Sequence, residues 1–159
     1  MKQDKGKDKA SKQERRAIEA RKCSENMRQL AVGFRSLVED ALRDEGLTLP
    51  QLRLLKAVKQ QTDVSAAALA RTCMVTPQTM QAVLERAVHA KWIVRGKSEK
   101  NERFVTATLT ELGESVLQQG MAMVVRIEER IWQDVGLSDL KLLNETLQAG
   151  IANLGLPPM

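Results

Sequence analysis

Arg95-Gly96-Lys97-Ser98-Glu99-Lys100-Asn101-Glu102-Arg103-Phe104-Val105-Thr106-Ala107-Thr108-Leu109-Thr110-Glu111-Leu112-Gly113 reads as two short strands joined by a charged loop, with a helix start directly after them. Phe104, Thr106 and Thr108 alternate with Val105, Ala107 and Leu109, the period of two expected of a half-buried strand. Thr110 is placed to cap the following helix, since its hydroxyl can accept from an amide in the first turn.

Upstream of the hairpin the chain spells a helix-turn-helix. Ser65 is expected to cap a short helix from Ala66 to Thr72, and Cys73-Met74-Val75 forms a turn. Thr76-Pro77 then supplies an N-cap followed by proline at the first helical position, where its missing N–H has no partner to lose. That second helix is expected to run to about His89. At about 100° per residue, Gln78, Thr79, Ala82 and Arg86 share one face with Gln81 beside it, while Met80, Val83, Leu84 and Ala87 turn to the core. In such a unit the second helix enters the major groove, where Gln can bond adenine in bidentate fashion and Thr or Ala methyls can touch thymine. The fold class is therefore mainly α with a small β-hairpin wing: a winged helix-turn-helix.

Helices flank this unit on both sides. Residues 1–13 are polar and charged without apolar periodicity and are expected to be a disordered basic tail. From 14 to 46 the chain has no Pro, and Met27, Leu30, Ala31, Phe34, Leu37, Val38, Ala41 and Leu42 form an amphipathic stripe that ends at Gly46. Residues 47–109 hold a helix opened by Leu49-Pro50, then the helix-turn-helix and wing. Residues 110–159 hold a long helix to about Gln133 and a last one, expected to be capped by Ser138 and to carry Leu140, Leu143, Leu147, Ile151 and Leu154.

Charge is unevenly placed. The whole chain carries 25 Lys/Arg and 20 Asp/Glu, a formal +5. Residues 1–22 hold nine basic and four acidic side chains, residues 65–103 seven and three, and residues 104–159 three and seven. A basic reading unit on a body of mixed charge suits phosphate binding.

The hairpin resembles the wing of the multiple antibiotic resistance regulator (MarR) family, whose pattern is Arg, a polar loop, Asp-x-Arg, a strand, then Leu-Thr-x-x-Gly. Arg95, Arg103, Leu109, Thr110 and Gly113 fall at that spacing, with Asn101 in place of the Asp, and the likeness extends roughly from Met27 to Leu154. The resemblance implies a transcriptional regulator that binds double-stranded DNA as a homodimer, its first and last two helices forming an α-helical dimerisation layer. It implies that Arg103 reaches the minor groove or nearby backbone, and that Ser65, Thr76, Gln78, Thr79, Gln81, Ala82, Arg86, Arg95, Lys97 and Lys100 are DNA contacts, the lysines to phosphate. It also implies a small-molecule effector pocket, for which Met27, Phe34, Met121 and Met123 are candidates, although methionine at helical spacing is also ordinary core. Two positions depart from the family: Met74 and Lys91 stand where glycine is common, and either costs about 1 kcal/mol if the backbone there needs φ > 0.

Other classes find less support. No nucleophile–base pair, paired carboxylates or phosphate loop suggests an enzyme, and no cofactor is called for. One His and two distant Cys make no readable zinc site. No apolar run suits a membrane span and no signal peptide is legible, so the expected setting is the cytoplasm, with no membrane partner. Cys73 is expected as a small apolar filler. Cys23 keeps a thiol redox switch open, since some relatives sense peroxide near the N-terminal dimer region, and Arg21 and Lys22 could lower its pKa. A dimeric winged-helix scaffold for protein partners is the remaining alternative. Trp92 is expected at the hairpin base and Trp132 in the dimer layer.

Overall fold

The computed structural model describes residues 4–60, 63–97 and 104–155. Its order is α1 (Asp4–Asp44), α2 (Leu49–Gln60), β1 (Asp63–Ser65), α3 (Ala66–Thr72), α4 (Pro77–His89), β2 (Ile93–Lys97), β3 (Phe104–Leu109), α5 (Glu111–Trp132) and α6 (Leu137–Asn153). Two compact units result, Met1–Val124 and Val125–Met159.

In the first unit α2, α3 and α4 pack around Leu54, Leu55, Leu69, Met80 and Leu84, all essentially inaccessible. Val38 and Leu42 of α1 and Leu117 of α5 are also buried. Each helix end has a local cause. Gly46, at φ 68°, closes α1: its N–H reaches Arg43 O at 3.0 Å and that of Leu47 reaches Leu42 O at 2.9 Å. This is a Schellman motif, and its apolar pair, Leu42 and Leu47, is buried. Thr48 and Gln51 open α2 by exchanging bonds: Gln51 N–H donates to Thr48 Oγ1 at 3.4 Å and Thr48 N–H to Gln51 Oε1 at 2.8 Å. The Thr-x-x-Gln spacing of this capping box is visible in the sequence.

The sheet is three-stranded in the order β1-β3-β2, all antiparallel. The expected hairpin is present, with Ile93 opposite Leu109 and Lys97 opposite Val105. The short β1 was not expected. Its three residues, Asp63 opposite Thr106 through Ser65 opposite Phe104, are too few for periodicity to show, and only the open edge of β3 gives them partners.

Two expectations need correction. The disordered tail of residues 1–13 does not hold for the described part, because α1 begins at Asp4 and runs 41 residues. Lys, Ala, Gln, Glu and Arg all favour helix without any apolar stripe, and no proline interrupts them. Ser138 does not cap α6. Gly136 is the N-cap, with φ −65° and ψ 153° and no side-chain bond. Leu137, 70% exposed, thus becomes the first helical residue.

Candidate nucleic-acid interface

Helix α4 owes its pose to both of its ends. At the start, Thr76 Oγ1 accepts from Thr79 N–H at 3.1 Å, and Pro77 follows as expected. At the end, the chain leaves through Lys91 at φ 59°, with Lys91 N–H on Val88 O and Trp92 N–H on Ala87 O, both at 2.9 Å. Met74, at φ 56°, closes α3 in the same way, with Met74 N–H on Arg71 O at 3.0 Å and Val75 N–H on Ala70 O at 3.0 Å. Both positions where the resembled family favours glycine therefore do adopt the left-handed region. Arg53 adds a further brace, its guanidinium donating to Cys73 O at 3.2 Å.

The exit of α4 is fastened to the entry of α5. Thr110 N–H donates to Trp92 O at 3.0 Å, the Thr110 hydroxyl donates to Lys91 O at 2.6 Å, and Gly113 N–H donates to Thr110 Oγ1 at 3.0 Å. Thr110 is thus the cap expected of it and also a staple between two helices. Gly113 has a steric reason of its own: a Cβ there would sit 1.9 Å from Trp92 O.

With Met80, Val83, Leu84 and Ala87 buried as expected, α4 presents Gln78, Thr79, Gln81, Ala82, Glu85 and Arg86 to solvent. These side chains are not equally available. The Thr79 hydroxyl lies 2.8 Å from that of Thr76, and the Gln81 amide donates to Glu85 at 2.9 Å. Gln78 and Arg86 bond no described residue, so both are ready for a partner. Arg95 is exposed on β2. Ser65 ends β1 immediately before α3, and Lys97 ends β2; only their backbones are described. Lys100 and Arg103, with Asn101, lie outside the described residues.

Arg71, exposed in the last turn of α3, belongs with this basic set and was missed. Its place just before the turn was the available signal. Glu85 was also missed as the partner of Gln81, a pair readable from the i, i+4 spacing.

Two of the four candidate pocket residues, Met121 and Met123, line different cavities. Met121 lines a cleft of about 600 Å³ between α2 and α5, with Lys56, Lys59, Glu114 and Leu117. Met123 lines a separate recess of about 40 Å³ with Leu47, Trp92 and Gly120. Neither is lined by Met27 or Phe34, because Met27 lies on a stretch of α1 that is exposed in the single chain and Phe34 is only half-buried. Lys59 and Glu114 form an ion pair across the larger cleft.

Cys73 is fully buried, and burial pushes its thiol up from 9.0 to about 11, against a smaller opposing pull from Arg53. Cys23 is exposed. Lys22 turns to Glu19, its ammonium 2.9 Å from the carboxylate, and that hydrogen bond and charge raise its pKa. His89 is exposed. Among the described residues no group of three or more His, Cys, Asp or Glu could hold a metal ion, and no helix is long and apolar enough to cross a membrane.

Comparison with known proteins points one way. The sequence profile described as MarR family matches residues 45–103. The HTH-type transcriptional repressor Rv2887 of Mycobacterium tuberculosis is 36% identical over 98 residues, covering 62% of this chain and 70% of that protein. Among solved structures, the Rv2887 complex with DNA superposes with TM-score 0.67 at 27% identity, covering 79% of this chain and 94% of that one. The Rv2887 complex with salicylic acid gives 0.65 at 29% identity, covering 77% and 91%. MarR of E. coli in its apo form gives 0.69 over 80% and 95% of the chains, a likeness of fold at 16% identity.

Proposed function

This chain belongs to the MarR family of transcriptional regulators, and on that premise we propose that it is a ligand-responsive repressor binding a pseudo-palindromic operator as a homodimer. The observation that carries the reading is the outer face of α4, solvent-exposed along its length on a locally basic unit, with Gln78 and Arg86 uncommitted. Two such helices, related by the dimer two-fold, would enter successive major grooves about 34 Å apart. Gln78 would read a base edge and Arg86 a phosphate or guanine, while Thr79 and Gln81 would exchange their internal bonds for bases. Ala82 would offer its methyl to thymine. Thr76 and the backbone at the start of α4 would favour a phosphate, with Ser65 and Arg71 nearby in the chain. Arg95, Lys97, Lys100 and Arg103 would carry the wing's contacts to backbone and minor groove.

Dimerisation is supported by apolar faces left open. Helix α6 has no buried residue, and Leu142 is 63% exposed. Met27, Leu30 and Leu37 of α1 are likewise open. Helical stripes of this kind ordinarily mark an interface. Response to an effector is supported by the relative seen with salicylic and p-aminosalicylic acids. The cleft between α2 and α5 offers Lys56 to a carboxylate and Leu117 and Met121 to a ring. A ligand held better when the α4 spacing misfits DNA would release the operator, and the Thr110 staple would carry movement of α5 to α4. The work is binding rather than catalysis, and it belongs in the cytoplasm, where the DNA is.

Capture of genomic fragments on the purified protein at about 0.15 M salt, near physiological ionic strength, tests the reading. Enrichment of a short inverted repeat near promoters is expected; uniform recovery across the genome would sink it.

A further inference from the structure

Helix α1 changes character along one face. Lys5, Lys9, Lys12 and Arg16 follow one another at steps of four, three and four, which keeps them within roughly 60° of arc on a helix of 3.6 residues per turn. Continued along the helix, the same face carries Met27, Leu30 and Phe34. The face that is apolar toward the C-terminal end is therefore basic toward the N-terminal end. Glu14 falls on the opposite side, and Glu19 is taken by Lys22 at 2.9 Å. Lys12, Arg15 and Arg16 are exposed and pair with no described residue.

This basic stretch stands apart from the reading unit along its own helix. From Arg16 to Phe34, where α1 first gains cover, is about 27 Å at 1.5 Å per residue. Its composition excludes a membrane-surface role: Ile18 is the sole large apolar residue between Asp4 and Lys22, and an interfacial helix needs a broad apolar face. A regular row of cations with no apolar counterpart suits a regular row of anions. We propose that the N-terminal part of α1 is a second nucleic-acid contact, binding the phosphate backbone of duplex DNA outside the operator half-sites without reading sequence. The proposal rests on the DNA-binding reading above and adds a surface to it. Phosphate neutralisation by the arm would lengthen the protein's footprint and strengthen its hold on DNA at large.

The test compares the full-length protein with its Lys5→Gln/Lys9→Gln/Lys12→Gln/Arg16→Gln variant, glutamine being uncharged and a good helix former. Salt dependence of binding is measured on a long random-sequence duplex and on an operator duplex trimmed to its half-sites, with the dimer equilibrium followed by sedimentation. On the long duplex the slope of log affinity against log salt is expected to fall by roughly 2 to 4 in the variant, at about 0.9 per phosphate contact. On the trimmed operator it should hold. Equal slopes on the long duplex overturn the proposal, and so does a variant that shifts the dimer equilibrium with its slopes unchanged, since the arm would then meet a second copy. The random-sequence arm of the experiment stands even if no operator exists, so failure here is separable from failure of the repressor reading.

Discussion

Met74 and Lys91 hold left-handed backbones at φ 56° and 59°, each as the residue that closes a helix. A Cβ is unfavourable there, and both side chains are exposed, so little packing offsets the cost. Met74→Gly and Lys91→Gly are each expected to stabilise the fold by about 0.5–1 kcal/mol, after allowance for the freer unfolded chain. Urea midpoints measure this, and a midpoint at or below the parent's would refute it. Both positions were legible in the sequence as departures from a glycine-bearing pattern. The opposite case is Gly113, whose motif was legible but whose reason was not: only the folded chain brings Trp92 O to the place a Cβ would fill.

Cys73 gives a pH signature. Its folded-state thiol, at about 11, loses its proton later than the unfolded-state thiol at its ordinary 9.0. Between those values the unfolded state has released a proton that the native state keeps, so stability falls as pH rises, by about 1.4 kcal/mol per pH unit. Below pH 9 the thiol contributes no slope. Cys73→Ala should flatten this decline when unfolding is followed from pH 9 to 11, and an unchanged profile would assign the decline to other groups.

At the scale of elements, the proposed function has α4 and the wing divide the labour of recognition. Gln78→Ala is expected to relax preference at one base pair of each half-site, because its amide is free to bond a base edge. Arg103→Ala should leave the sequence preference intact, weaken binding, and lower the salt slope by up to about 1 if the guanidinium meets phosphate. Selection from a randomised operator library, with titrations at several salt concentrations, separates the two. An unchanged site logo for Gln78→Ala would remove it from base reading, and an unchanged affinity and slope for Arg103→Ala would remove the wing. The elements differed in how readily the sequence showed them. The bounds of α4 and β3 follow from a cap, a proline and alternation, which are local signals. Strand β1 has no local signal, being three residues long and dependent on β3.

For the whole molecule the decisive quantity is the apolar surface that one chain leaves uncovered. Leu30 on α1 is 43% exposed and Leu143 on α6 is 37% exposed. A charge placed in a dimer interface has to be desolvated without a partner. Leu30→Glu and Leu143→Glu are therefore expected to yield folded monomers that lose operator affinity, since two half-sites no longer bind together. Sedimentation equilibrium beside circular dichroism checks this, and a dimer of undiminished affinity in both variants would place the interface elsewhere.

The sequence by itself determined the order of the helices and the hairpin, the core face of α4, the caps at Thr76 and Thr110, and the resemblance carried by the wing. All of these depend on residues within a few positions of one another, where periodicity and capping chemistry act. The tertiary structure alone decided that Gly113 has to lack a Cβ, because Trp92 O occupies the place it would fill. It alone also decided that Thr110 joins α5 to the end of α4, and that Met121 and Met123 line different cavities. Those outcomes depend on distances between segments far apart in the chain, and such distances are set by packing and have no local sequence signal.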